Sequence, residues 1–248
     1  MSMSWPTSTP QTNRGVMPAT PLLSIIIPLA PGDTDEVDEL LAQLGAWRES
    51  AQVIVCRTDG SAAPQTPVQW PNTLTLIDVL SPPGRARQMN VGAARAHGCW
   101  LWFVHADSRL SAATLAALHA FLEDDGDALA YFDLAFRHDG PKLAALNAWG
   151  ANLRSRAFGL PFGDQGLLLR ASRFADLSGF DETRSYGEDH ALVWAARNAG
   201  LPLQRIPAPI ETSARKYAQR GWLRTTAQHL RLTVAQAWPA WRRVRKHG

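Results

Sequence analysis

Three short apolar runs constrain this chain more than any other feature: LLSIIIPL at Leu22–Leu29, AQVIVC at Ala51–Cys56 and WLWFV at Trp100–Val104. A strand with one face in water alternates apolar and polar residues, whereas a run without alternation has to be covered on both faces. Helical patterns supply the cover. DTDEVDELLAQLGAW follows the first run, with Val37, Leu40, Leu41 and Leu44 on one face. TLTLIDVL (Thr73–Leu80) reads as a third strand, Gly84–His97 as a helix before the Trp100 strand, and Ser111–Leu122 as the helix after it. An alternating strand near Ala128–Phe136 and a helix near Lys142–Phe158 continue the series. The expected fold class is α/β, a single mostly parallel sheet flanked by helices.

Composition narrows the field. A chain of 248 residues, 46% hydrophobic, suits one sizeable domain. Its two cysteines, Cys56 and Cys99, lie beside expected strands and read as small core or near-core residues in a reducing compartment. No segment reaches the ~18 uninterrupted apolar residues of a membrane span. Residues 1–20 have one Arg, no acid and no apolar core, as expected of a disordered leader rather than a signal peptide. The expected location is cytoplasmic.

The formal net charge of +3 hides an asymmetry: residues 213–248 hold nine of the 25 Lys and Arg and no acid, leaving 16 bases against 22 acids elsewhere. Such a tail faces something anionic, whether phosphate, a membrane surface or the body itself.

Several chemistries lose ground at once. The first strand-to-helix turn, PLAPGD, carries one glycine where a dinucleotide fingerprint needs three, and no GxxxxGK[ST] loop is present. Four constellations remain. Asp59-Gly60-Ser61 ends the second strand and is compatible with a nucleobase contact or with ordinary turn chemistry. Arg85 and Arg87 stand in the first turn of the helix opened by Gly84, where cations oppose the helix dipole; they suit an incoming phosphate or a solvated face. His105 and Asp107 leave the buried Trp100 strand, and Asp107 serves a divalent cation or starts a turn. Glu188 and Asp189 precede a helix with Ala191, Leu192, Ala195 and Ala196 at helical spacing, as caps or as a general base.

In this order and at these separations the four resemble a family 2 glycosyltransferase with a GT-A fold. SIIIPLAPGD resembles the opening strand, VIVCRTDGS the second strand with its acid-Gly-Ser ending, FVHADS the metal-binding DxD segment and GEDHAL the ED motif. GRARQMNVGA, FVHADSRL, GDQGLLLR and ETSARKYAQRGWLRTT together resemble a bacterial subgroup found with radical-SAM, selenium or arsenosugar gene clusters. The likeness runs from about residue 22 to 232.

The resemblance implies a nucleotide-sugar donor, a hydroxyl acceptor that is small or lipid-linked, and a divalent metal, Mg or Mn. Asp59 would contact the nucleobase, Arg85 or Arg87 the diphosphate, and Asp107 the metal bridging that diphosphate. Asp189 would be the base that deprotonates the acceptor, with Glu188 supporting it, and the reaction a single displacement with inversion. Gly163, Asp164 and Gln165 would line the acceptor pocket, and Arg215 would close over the diphosphate. His105 replaces the first acid of the DxD segment and is either a second metal ligand or a bystander. Arg57 and Thr58 stand where many relatives place a further acid. There is no QxxRW motif, so one sugar is expected per event.

In the tail, Leu223, Ala227, Leu230, Val234, Ala237, Trp238 and Trp241 fall on one helical stripe, with Pro239 ending or kinking the pattern. The expected organisation is therefore a leader (1–20), a catalytic domain (21–212) and a basic amphipathic helix (213–248). That helix docks on the domain or, through residues 218–246, lies peripherally on the inner membrane face. Two other classes compete. A nucleotidyltransferase would need a glycine-rich basic loop that PLAPGD does not supply. A nucleic-acid-binding module would use the tail, but the acidic body opposes it, and no nucleic-acid partner is expected.

Overall fold

The computed structural model describes residues 22–184 and 186–215. The expected leader and all of the expected C-terminal helix beyond Arg215 lie outside the described residues.

The chain runs β1 (Leu23–Leu29), α1 (Thr34–Leu44), β2 (Ala51–Arg57), β3 (Leu74–Leu80), α2 (Arg85–Arg95), β4 (Trp100–Phe103) and α3 (Ala112–Glu123). It continues with β5 (Leu129–Phe136), α4 (Ala144–Phe158), a 3-10 turn (Gly163–Gln165), β6 (Leu168–Arg170), α5 (Ala171–Asp176), α6 (Glu188–Asn198) and β7 (Leu203–Thr212). These strands form one seven-stranded sheet in the order β3-β2-β1-β4-β6-β5-β7. All pairings are parallel except those of β6 with β4 and β5.

The unalternating runs are covered on both faces. In β4, Trp100 and Trp102 enter one core with β1 residues Ile25 and Ile27 and with α1 and α3, while Leu101 and Phe103 enter the other with α2, α5 and α6. Trp100 meets Phe121 edge-on at 5.4 Å and Trp102 lies 5.5 Å from Phe132. Val37, Leu40, Leu41 and Leu44 of α1 are fully buried, as their spacing requires. Ser111 caps α3 by accepting the Thr114 amide at 3.1 Å.

Side chains tie the sheet at both ends. At the amino edge Ser24 donates to Gln52 at 2.8 Å and accepts the Gly98 amide. At the carboxyl edge the buried Gln88 of α2 donates to Leu29 O at 2.8 Å and to Cys56 O at 2.6 Å, joining the ends of β1 and β2. That edge is where sites form in open α/β sheets.

The structure differs from the sequence expectation in four places. β6 has three residues, too few for a visible period. β7 carries Pro207 and Pro209, which argue against a strand except at an edge, and β7 is an edge strand whose register with β5 shifts after Phe132. Cys99 is exposed rather than near the core, because the turn into β4 lies at the sheet's rim. In α6 the buried residues are Glu188, His190, Leu192, Val193, Trp194 and Ala196, with Ala191 and Ala195 only half-buried. A second surface explains this, since the Phe162 segment covers α6 on another side and meets His190 edge-on at 5.6 Å. Among the described residues no helix is long and apolar enough to cross a membrane.

Candidate active site

Asp107 sits where β4 runs out. The Val104 amide still donates to Ile26 O at 3.0 Å, and the chain then turns, with Ser108 N donating to His105 O at 3.0 Å. Turn and edge acid are thus one feature. The Asp107 carboxylate accepts from the Thr212 hydroxyl at 3.3 Å, a long bond that leaves most of its lone pairs unspent. Behind it Arg109 is buried, exchanges backbone bonds with Glu211, and places its guanidinium on Glu36 and Glu39 of α1. The turn is held from both sides.

Three segments meet beside it. Asp189, in the first turn of α6, accepts its neighbour's amide, His190 N, on Oδ1 at 2.7 Å and the Gly163 amide on Oδ2 at 2.6 Å. A Cβ on Gly163 would stand 3.1 Å from Asp189 Oδ2 and 3.1 Å from His105 Nε2. The β4 end, the 3-10 turn and the start of α6 therefore close on one point, and glycine is what lets them.

Asp164 shares this neighbourhood. Its Oδ1 is enclosed with no hydrogen-bond partner, and burial pushes its carboxyl up to about 6. Arg154 opposes that rise, the charges of Asp189 and Asp107 add to it, and Arg85 opposes it. Gln165 has a different task. Fully buried, it accepts from Ser155 Oγ at 2.7 Å and from Phe162 N at 3.2 Å, and donates to Phe132 O at 3.0 Å. Its amide is spent on holding the turn to α4 and β5. His190 is buried and accepts from Trp194 Nε1 at 3.2 Å, and burial pulls its pKa down to about 4, so the imidazole is neutral.

A cleft of about 430 Å³ opens between the start of α2 and the loop into α6, lined by residues that include Gly84, Arg85, Arg87, Glu182, Arg184, Tyr186 and Glu188. Gly84 has φ of 124° and α2 begins without a side-chain cap, so amides at its N-terminus remain for a ligand. Arg85 Nη1 lies 3.4 Å from the buried Glu188 Oε1, bridging the two walls. Arg87 pairs with Glu182 at 3.5 Å. Sequence reasoning missed Arg184 and Tyr186. The signal for Tyr186 was there: an aromatic two positions before Glu188 in a loop rather than a strand. Burial raises its phenol pKa, Arg85 lowers it, and Asp189, Glu188 and Asp164 raise it further, which puts it in the same electrostatic neighbourhood.

The remaining candidates stand apart. Asp59 is exposed on the β2 turn and accepts the Gly60 amide at 3.1 Å. Arg57, beside it, binds Asp78 at 2.8 Å and Ser61 O at 3.0 Å, which accounts for an arginine there. Arg215 reaches α1 instead of the cleft, with its guanidinium on Glu36 and its Nε donating to Ser213 Oγ at 2.9 Å. Arg137 joins the same carboxylate at 2.9 Å.

Among the described residues no group of three His, Cys, Asp or Glu is placed to hold a metal by itself. A Mg²⁺-type ion shared with phosphate needs only one or two protein carboxylates. The under-used Asp107 carboxylate fits that requirement.

No protein-family model matches the sequence, and no curated protein matches it. Solved structures do. S. aureus TarS 1-349 in complex with UDP aligns with a TM-score of 0.58 at 19% identity, covering 77% of this chain and 60% of that one. The same protein in complex with UDP-GlcNAc gives 0.56 at 19% identity, over 77% and 58%. Mannosyltransferase PcManGT from Pyrobaculum calidifontis, in complex with GDP-Man and Mn²⁺, gives 0.61 at 19% identity, over 88% and 64%. This chain thus spans less than two thirds of the length of these proteins. It has the GT-A fold, a mostly parallel seven-stranded sheet flanked by helices, with the Asp107 turn and the Asp189 helix start at its carboxyl edge.

Proposed function

We propose that this protein is an inverting glycosyltransferase of the family 2 type, moving one sugar from a nucleotide-diphosphate donor to a hydroxyl acceptor. The observation that carries the reading is the meeting of Gly163, Asp189 and His105 at the sheet's carboxyl edge, with Asp107 and Asp164 in the same field. Nucleotide sugars of the kind named in the TarS and PcManGT complexes are the donor class.

Asp59 takes the nucleobase at the β2 end, and Arg85, with Arg87, takes the diphosphate at the start of α2. A divalent cation at Asp107, with His105 as second ligand, would supply positive charge to the departing diphosphate. Asp189 removes the acceptor proton: its two oxygens each hold one backbone amide, which fixes the carboxylate plane and leaves a lone pair on each for the hydroxyl. Glu188 holds Arg85 in place. Gly163 and Asp164 line the acceptor side, over a turn kept rigid by Gln165. Arg215 exchanges Glu36 for the diphosphate when donor binds. The narrower likeness to the radical-SAM, selenium or arsenosugar subgroup belongs to the same proposal.

A thermal-shift screen of nucleoside diphosphates and nucleotide sugars, with and without Mn²⁺, tests the reading, because a ligand that binds the folded state raises Tm by mass action. One nucleotide is expected to stabilise the protein, and more so with metal. No response to any nucleotide would overturn it.

A further inference from the structure

The helix α4 is built the wrong way round for a helix that faces only water. Its buried residues are the small Ala144, Ala148 and Ser155, while Leu146, Trp149 and Leu153, at three- and four-residue spacing, point outward. With Leu143 and Phe158 they are each between 47% and 65% exposed, and these five make up most of the nine large exposed apolar side chains among the described residues. Every exposed residue from Lys142 to Phe158 is apolar or basic: the outward set adds Ala145, Ala157, Lys142 and Arg156 and contains no acid. A bulky apolar stripe of this extent on one helix is costly in water and marks a surface that is covered in use.

We infer that the outward face of α4 seats on an anionic lipid surface. Charge selects the occupant. Arg156 at the rim is held by Asp133 at 3.0 Å, so Lys142 and the basic residues that follow Arg215 in sequence supply the positive charge beside the stripe, and a second copy of α4 offers no exposed acid to complement them. Residues 216–248, with eight Lys or Arg and no acid, add to that positive charge rather than complement it. Anionic headgroups neutralise both, while the leucines and the Trp149 indole enter the headgroup–acyl boundary. The last described residues agree: Ala214 is fully buried against Ala144 in the first turn of α4, and the basic residues follow it in sequence. The inference does not rest on the transferase reading, because vesicle binding needs neither donor nor acceptor.

The test is co-sedimentation of the full chain with vesicles containing phosphatidylglycerol and with vesicles of phosphatidylcholine alone. Gel filtration and Tm are measured on the same preparations. The wild-type protein is expected to bind the anionic vesicles and to be released by salt. The double variant Trp149→Ser, Leu153→Ser is expected to bind at least about tenfold more weakly with Tm unchanged, the loss expected for withdrawing one or two large side chains from an apolar phase. Absence of wild-type binding overturns the inference. So does full retention in the double variant, which would assign binding to the tail, and so does a wild-type dimer that the variant converts to monomer without any change in vesicle binding.

Discussion

The Gly163 amide donates to Asp189 Oδ2 at 2.6 Å across 26 positions of sequence, with no room for a side chain between that carboxylate and the His105 imidazole. A methyl group here has to displace one or the other by a few tenths of an ångström. Gly163→Ala is expected to lower turnover of the donor by roughly 10- to 100-fold, the scale on which catalytic groups respond to small misplacements. Tm is expected to change little. Steady-state kinetics alongside thermal melts check this; equal wild-type and variant turnover would separate the Asp189 position from catalysis.

Asp107 and Asp189 are expected to fail differently. Asp107→Ala should abolish the metal-dependent part of nucleotide stabilisation while leaving a weaker, metal-independent shift from Arg85. Asp189→Asn should keep the full nucleotide shift and lose transfer by about 10²- to 10⁴-fold, the usual contribution of a general base. Thermal shift and product formation, measured on both variants, distinguish the two roles; a nucleotide shift lost in Asp189→Asn would contradict the assignment.

Two buried groups titrate in one pH window with opposite effects on stability. His190 sits at about 4 in the fold against an ordinary 6.5, so between these values the unfolded chain holds more protons there and stability rises with pH. Asp164 sits at about 6 against an ordinary 3.8, so between those values the fold holds more protons and stability falls with pH. Their slopes oppose between about pH 4 and 6. Asp164→Asn removes the second and is expected to unmask a rise in stability with pH of up to about 3 kcal/mol, and to leave the variant more stable than wild type at neutral pH. Urea unfolding across this range with a chelator present measures it. Parallel curves for the two proteins would show that Asp164 titrates in the fold as it does in water.

Gln88 links the carboxyl ends of β1 and β2 from α2, so its loss reaches both stability and the donor side. Gln88→Leu leaves Leu29 O and Cys56 O without their donor and is expected to cost roughly 2 to 4 kcal/mol. Denaturant titration reads the stability, and the same nucleotide screen reads whether the turn at Asp59 keeps its position.

Much of the fold was legible in the sequence. Ile25–Ile27 and Trp100–Phe103 read as strands covered on both faces, and the layers on either side of the sheet cover them. The α1 stripe was equally plain, because it is a local pattern, and Ser111, read as the first residue of α3, is the cap of that helix. β6 and β7 were not legible: one is too short for a period, and the other contains two prolines that only an edge position tolerates. Edge position is a property of the whole sheet.

The site divides in the same way. The residue types at its corners, Asp107 after a buried strand and Asp189 at a helix start, were set by the sequence, because strand ends and helix starts are local and place side chains within a few residues. Which of them meet was decided by tertiary packing alone. Crossing from β4 to the 3-10 turn to α6 brings Gly163 against Asp189 and His105, draws Arg85 to Glu188 across 103 positions and carries Arg215 away to Glu36. Distances between segments that far apart depend on the order of strands in the sheet and on which helix covers which face, and no local pattern contains that order.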